Sequence, residues 1–149
     1  MPDTNVFLHA FSLFEGNGWP EAIGASGDVR LVVPLVVVRE LDRQKRTNRR
    51  WNARRASRWL RANMSPDLNA YRRMTKDGRD RLTMVEVFTL LDAPGRPTDP
   101  DDQIIRFTQQ LQRISSRPTL LATGDLSMQI RAAARGVDAR PLLEDDDEN

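Results

Sequence analysis

Hydrophobic residues in the first half of the chain form blocks with strand-like and helix-like spacing. Residues 29–33 are mainly apolar and β-branched, which predicts a buried strand. Pro34 suits the first turn of a helix, so a helix is predicted from residue 35 to about residue 45. A second helix is predicted over residues 52–62. The pattern therefore indicates a strand followed by two helices.

The segments around these elements predict turns and short helices. Residues 3–11 are predicted as the end of a strand that runs into a short helix. Residues 16–27 contain several glycines and Pro20, which predicts a loop around a short helix. Residues 67–80 are polar and contain a Lys-Asp-Gly turn signal, so they are predicted as a loop.

The second half of the chain continues the alternation. Further strands are predicted at residues 82–87, 119–123 and 138–142. Helices are predicted at residues 101–114 and 126–134, and Gly136 closes the second of them. A loop rich in Pro, Gly and Asp is predicted over residues 92–100.

This order of elements predicts an α/β fold, a three-layer α/β/α sandwich on a mostly parallel central sheet. The length of 149 residues fits one domain, predicted over residues 1–142. Residues 143–149 are strongly acidic and are predicted to be a disordered tail. In parallel sheets of this kind, functional groups gather at the carboxyl ends of the strands.

Composition excludes several classes of site. The chain has no cysteine, so disulfides, thiolate zinc sites and cysteine nucleophiles are excluded. It has one histidine, so a multi-histidine metal site is excluded and a Ser-His-Asp triad would need His9. The longest apolar run, residues 31–38, is too short to span a membrane, and no signal peptide is evident. A cytoplasmic protein without membrane contact is expected.

Basic residues are concentrated in one segment. Residues 39–61 contain ten Arg or Lys residues against two acidic ones, which favours binding to phosphate groups but is also compatible with a solvated helix surface. If one helix is continuous there, one face would carry the candidate RNA-binding residues Arg43, Arg46, Arg50, Arg54 and Arg58. Trp51 and Trp59 would then stack on bases, although at least one of them is expected in the core.

Four separate segments each place a carboxylate near the same edge of the predicted sheet. The residues are Asp3, Glu40, the pair Asp101 and Asp102, and Asp125. Each has a structural alternative as a helix cap or first-turn acid, or, for Glu40, as a partner of Arg43. Carboxylates held together repel one another, and a divalent cation removes that repulsion. Oxygen ligands favour Mg²⁺ or Mn²⁺.

These segments, taken in order, resemble the PIN-domain nucleases. The matching stretches are Asp3-Thr4-Asn5-Val6, residues 40–45 after the apolar strand and Pro34, Asp101-Asp102-Gln103-Ile104-Ile105, and Ala122-Thr123-Gly124-Asp125. The similarity covers nearly all of residues 1–142. Residues 5–9 and 40–45 look closest to PhoH-associated PIN domains, and toxin-type PIN ribonucleases come second.

The resemblance implies roles for individual residues. Asp3, Glu40, Asp102 and Asp125 match the catalytic acids, and Asp101 would share the metal-binding role of its neighbour. Asn5 and Thr123 match positions that support these acids by hydrogen bonds. Only Met1 and Pro2 precede Asp3, so the first strand is expected to be two or three residues long, unless the gene start is placed too late.

The activity implied by the resemblance is cleavage of RNA with Mg²⁺ or Mn²⁺ as cofactor. The expected protein is an endoribonuclease that acts on single-stranded RNA and possesses carboxylate-bound divalent ions. Two alternatives are a toxin ribonuclease with an antitoxin partner and a PIN-like module that binds RNA without cleaving it. A homodimer is a further expected form, since dimers are common among relatives.

Overall fold

The protein's structure, a computed structural model, describes residues 1–16, 18–63, 72–74, 83–88 and 99–142. The helices are α1 (Thr4–His9), α2 (Phe11–Glu15), α3 (Trp19–Ala22), α4 (Leu35–Gln44), α5 (Arg50–Asn63), α6 (Pro100–Ile114) and α7 (Leu126–Ala133). The strands are β1 (Val29–Pro34), β2 (Arg72–Met74), β3 (Thr83–Phe88), β4 (Leu121–Ala122) and β5 (Ala139–Arg140).

The strands form two small sheets with mainly parallel pairing. In the first sheet β1 pairs in parallel with β3, and β2 joins the other edge of β3 antiparallel. In the second sheet β4 and β5 are parallel, and Pro2 forms a parallel bridge with Ala122 on the other side of β4. These pairings and the alternating helices confirm the predicted α/β class.

The helices begin where the sequence supplies the required backbone or side-chain groups. Pro34 is extended, with φ −64° and ψ 144°, and α4 starts at the next residue. Pro100 occupies the first turn of α6, where its missing N–H costs no hydrogen bond. Gly136 follows α7 with φ +72°, a conformation that favours glycine. The predicted boundaries of these helices are therefore close to the observed ones.

An aromatic cluster joins α1 and α2 to α5. The rings of Phe7 and Phe14 stack with centroids 4.7 Å apart, and Trp59 meets Phe14 edge-on at 5.4 Å. Trp59 is partly buried against the core, which confirms that one of the two α5 tryptophans packs inside. This cluster anchors α1 firmly, and α1 begins immediately after Asp3.

Three sequence predictions differ from the structure or lie wholly or partly beyond its described part. The predicted loop 67–80 contains β2, a three-residue edge strand with the sequence Arg-Arg-Met, which shows no alternating pattern. The rest of that loop, most of the predicted loop 92–100, and the predicted tail 143–149 lie outside the described residues. None of the described helices is both long and apolar enough to cross a bilayer.

Candidate functional site

Asp3 is a buried carboxylate at the beginning of α1. Only 2% of its surface is exposed. Its Oδ1 accepts a hydrogen bond from the backbone N–H of Val6 at 2.8 Å, which caps the helix. Its backbone N–H donates to the carbonyl of Ala122 in β4 at 3.0 Å. The predicted first strand of two or three residues is reduced to the bridge between Pro2 and Ala122, and this bridge places Asp3 directly beside the end of β4.

Thr123 joins Asp3 to the beginning of α7. Its hydroxyl donates to Oδ2 of Asp3 and accepts from the backbone N–H of Asp125, the latter at 3.1 Å. Asp125 caps α7, because its Oδ1 accepts from the N–H groups of Ser127 and Met128. The capping roles considered for Asp3 and Asp125 are thus both present, and the two caps share one hydroxyl.

Glu40 reaches the same region from α4. Its Oε2 accepts a hydrogen bond of 2.5 Å from the hydroxyl of Thr4, the residue next to Asp3. The described partner of Glu40 is therefore Thr4 and not Arg43, which was the alternative suggested by sequence spacing. Thr4 is a site residue that the sequence reasoning did not single out.

The two neighbouring acids of α6 have different surroundings. The charge of Asp101 acts on Asp3, and the charges of Asp125 and Glu40 act on Asp101. Asp102 instead pairs with Arg135 at 2.5 Å and lines a separate surface pocket of about 340 Å³ with Arg106 and Gln109. Asp101 therefore interacts electrostatically with Asp3, Asp125 and Glu40, while Asp102 lies beside basic residues.

Arg131 connects α7 to the first turn of α6. Its guanidinium pairs with Asp101 at 3.3 Å and with Asp102 at 2.6 Å, and it also donates to Asp99. Sequence analysis did not identify Arg131, because its partners lie about thirty residues away and no motif marks the pair. These contacts fix the beginning of α6 relative to α7.

Burial and repulsion shift the pKa values of two acids upwards. Burial raises the pKa of Asp3 to about 6, opposed by the hydrogen bonds from Thr123 and Val6, and the charges of Asp101 and Asp125 add to the rise. Such a carboxylate is poised to change its charge near neutral pH.

The pKa of Asp101 is also raised. Burial raises its pKa first, and then the neighbouring charge of Asp99, while Arg131 acts in the opposite direction. Asp125 and Glu40 raise it further. Asp102 differs, because its bonds to Arg135 and Arg131 lower its pKa. Four acids, Asp3, Glu40, Asp101 and Asp125, therefore form one electrostatically coupled group, called here the acidic group.

The donor chemistry of the acidic group fits a divalent cation. Within the described residues, Asp125 Oδ2, Glu40 Oε1 and Asp101 Oδ1 take no hydrogen bond, so carboxylate oxygens remain for ligation. A cation also relieves the repulsion that raises the pKa values of Asp3 and Asp101. In the described part of the chain, however, no three acidic or histidine side chains are already arranged around one point.

The two predicted supporting residues, Asn5 and Thr123, differ in the hydrogen bonds that their side chains form. Thr123 makes the two contacts given above. Asn5 is half-buried on α1, and its side chain forms no hydrogen bond with other residues in the described ranges. The side chain of Gln129 donates to the carbonyl of Thr123 at 3.1 Å, a further support that the sequence gave no signal for.

The basic residues do not lie on one continuous helix. Arg43 is in the last turn of α4, Arg46 lies in the turn that follows, and α5 starts at Arg50. The expected single face is therefore wrong for Arg43 and Arg46. Arg50, Arg54 and Arg58 do share α5, and the side chains of all five arginines are exposed.

The chain is similar to known proteins in family and in fold. A sequence model of the PIN domain matches residues 1–142. No curated protein matches the chain. A solved structure described as a domain of a functionally unknown protein from Methanocaldococcus jannaschii DSM 2661 is similar with a TM-score of 0.58 and 17% identity, over 99% of this chain and 93% of that chain. This likeness shows the fold, and the PhoH-associated subtype stays a prediction.

Proposed function

The chain belongs to the PIN-domain family, whose members are generally nucleases that use divalent metal ions, and on that premise we propose that it is a metal-dependent endoribonuclease. Its substrate is single-stranded RNA, and the bond that it hydrolyses is the phosphodiester. The cofactor is Mg²⁺ or Mn²⁺, which oxygen ligands favour.

The observation that carries the proposal is the coupling within the acidic group. Acids from four separate segments act on one another, and the most buried of them, Asp3, has its pKa raised to about 6. Concentrating carboxylates in this way opposes folding stability and repels phosphate, so a functional reason is needed. Binding of a divalent ion is such a reason, because the ion reverses the local charge.

Each residue of the site has a physical task in this proposal. Asp3, Asp101, Asp125 and Glu40 would hold the ions, while Thr123 fixes the Asp3 carboxylate and Arg131 fixes α6. When bound, divalent ions stabilise the charge on the scissile phosphate and supply a nucleophilic water at neutral pH. The exposed arginines of α5 bind the flanking phosphates, which supplies affinity without base selectivity.

A second function is binding of RNA without cleavage. The specific observation in its favour is that no three acids among the described residues surround a common point. The ion pairs that hold Asp102 also remove from the acidic group the residue that matches the family motif best. Both functions use the same basic residues, so cleavage itself must separate them.

The test is incubation of labelled single-stranded RNA with Mn²⁺ or Mg²⁺. Asp125→Asn and Asp3→Asn are suitable variants, because asparagine retains the helix cap while it removes the ligand charge. We expect each to lose cleavage by at least about 100-fold, since a metal contributes several kcal/mol to the transition state.

A matched control is Asp138→Asn, because Asp138 is an exposed acid paired with Arg140. It is expected to cleave like the wild type. Equal cleavage by all variants, or cleavage that persists in EDTA, contradicts the nuclease proposal. RNA binding without any cleavage supports the second function.

A further inference from the structure

Trp51 differs from the other two tryptophans in its exposure. It is 65% exposed near the beginning of α5, whereas Trp19 is 2% exposed and Trp59 belongs to the aromatic cluster. Exposing an indole ring to water is unfavourable, and exposed aromatic side chains are common at binding surfaces. The exposure of Trp51 therefore leaves its ring accessible to a ligand.

Neighbouring residues hold the indole in place. The guanidinium of Arg55 lies over the Trp51 ring, 4.9 Å from its centroid, and 5.1 Å from the centroid of Phe11. Arg55 is itself fixed, because its Nε donates to Oε1 of Glu15 at 2.8 Å. One side of the indole is thus covered by a cation and ordered in advance, which lowers the entropic cost of binding a flat group on the other side.

Trp51 shares its helix face with arginines. Successive helix positions are about 100° apart, so Arg50, Arg54, Arg58 and Trp51 lie within about 100° of arc. The buried side of α5 is formed by Ala53, Ala56 and Leu60. Within the described ranges, Arg50, Arg54 and Arg58 form no ion pair, in contrast to Arg131 and Arg135. The outward face of α5 therefore combines an ordered aromatic ring with uncompensated positive charge.

We propose that Trp51 is a base-stacking residue, and that with Arg50, Arg54 and Arg58 it forms an RNA-binding surface, called here the α5 surface. The arginines bind phosphates, and one base stacks on the exposed side of the indole. This proposal rests on the proposed function, because it takes RNA as the ligand. It selects single strands, since a base within a duplex has no free face for stacking.

Helix α1 connects α5 to the acidic group. Asn52, next to Trp51, donates from its side chain to the carbonyl of Leu8 at 2.7 Å, near the end of α1. Asp3 caps the other end of α1, whose six residues span about 9 Å. The two sites that the proposal assigns to one RNA strand are therefore joined through a single short helix.

The test measures binding without cleavage, in EDTA, with a fluorescein-labelled oligouridylate of roughly ten nucleotides. Fluorescence anisotropy gives the Kd of wild type, Trp51→Ala, Trp51→Phe and a control, Ile114→Ala. Ile114 is also an exposed apolar side chain, but it lies at the end of α6 away from Asp101. Far-UV circular dichroism checks that each variant is folded.

We expect Trp51→Ala to weaken binding by about fivefold or more, Trp51→Phe by less, and Ile114→Ala not at all. The slope of log Kd against log salt stays unchanged in Trp51→Ala, because stacking releases no counterions. Tryptophan emission of the wild type changes on binding, and this change is lost in Trp51→Phe.

Three results overturn the proposal. They are wild-type affinity in Trp51→Ala, unchanged tryptophan emission on binding, and no RNA binding by the wild type. If Trp51→Ala instead reduces self-association in sedimentation while RNA affinity is unchanged, the surface is a contact between copies and the proposal is wrong. If only the base-stacking proposal is wrong, the wild type still cleaves RNA in the presence of Mn²⁺. If the proposed nuclease function is wrong, the wild type does not cleave RNA, even where Trp51→Ala weakens RNA binding.

Discussion

The hydroxyl of Thr123 donates to the buried carboxylate of Asp3, although the two residues are 120 positions apart in the chain. The same hydroxyl accepts from the backbone N–H of Asp125. One side chain therefore connects the caps of α1 and α7. This connection brings the acids of the two ends of the domain to one place.

Removing this hydroxyl tests the connection. Thr123→Val keeps the shape of the side chain but leaves the Asp3 carboxylate and the Asp125 N–H without their shared partner. We expect it to lower the free energy of unfolding by about 1–3 kcal/mol. Urea unfolding provides the measurement, and Thr123→Ser is the control that retains the hydroxyl. Equal stability of Thr123→Val and wild type would show that the contact contributes nothing.

The raised pKa of Asp3 predicts a dependence of stability on pH. The pKa rises from 3.8 to about 6 on folding. Between these pH values the folded protein holds a proton that the unfolded chain has released. The free energy of unfolding therefore falls as pH rises through this range, and the full destabilisation by the ionised Asp3 carboxylate is present above about pH 6.

Asp3→Asn removes that cost and keeps the helix cap. We expect the variant to exceed the wild type in free energy of unfolding at pH 8 by on the order of 1–3 kcal/mol, and to match it near pH 4. Urea unfolding at pH 4, 6 and 8 gives the comparison. A difference that does not vary with pH would show that Asp3 keeps an ordinary pKa in the fold.

Arg131 and Arg135 allow a matched comparison across α6 and α7. Arg131 pairs with three acids and Arg135 with Asp102. We expect Arg131→Gln to lower the melting temperature more than Arg135→Gln does. The difference between the two variants corresponds to roughly 1 kcal/mol or less in the free energy of unfolding, because the ion pairs are partly exposed. Calorimetry at low and high salt checks this, and the difference should shrink at high salt. A larger loss in Arg135→Gln would contradict the role given to Arg131.

The exposed arginines of α5 predict the salt dependence of RNA binding. Replacing Arg50, Arg54 and Arg58 together by Gln removes three phosphate contacts, so the slope of log Kd against log salt should fall by about 2. Anisotropy titrations in EDTA at several salt concentrations measure the slope. If the triple variant keeps the wild-type slope, this face of α5 does not contact the RNA backbone.

Local sequence signals predicted most of the helices and strands. Pro34 marked the boundary between β1 and α4, and Gly136 marked the end of α7. β2 was missed because its three residues, Arg-Arg-Met, are too few and too polar to show an alternating pattern. The turn between α4 and α5 has a polar signal in Thr47, whose hydroxyl bonds to the carbonyl of Gln44. Because this turn separates the two helices, Arg43 and Arg46 do not lie on the face of α5.

The sequence predicted which acids are candidates but not how they are oriented. Asp101 and Asp102 are adjacent, so spacing alone does not decide which one meets Asp3. In the structure Asp102 is bound by Arg131 on α7 and by Arg135, which follows the end of α7, while the charge of Asp101 acts on Asp3. Contacts of this kind depend on how α6 and α7 pack, and tertiary packing is not visible in a local motif.

Anomalous scattering from a crystal of the protein soaked in Mn²⁺ locates bound ions most directly. We expect a peak bound by carboxylate oxygens of Asp3, Asp101 and Asp125, with Glu40 at its edge, and loss of that peak in Asp125→Asn. No peak at saturating Mn²⁺, or a peak bound only by acids outside this group, contradicts a shared divalent-ion site and with it the proposed nuclease.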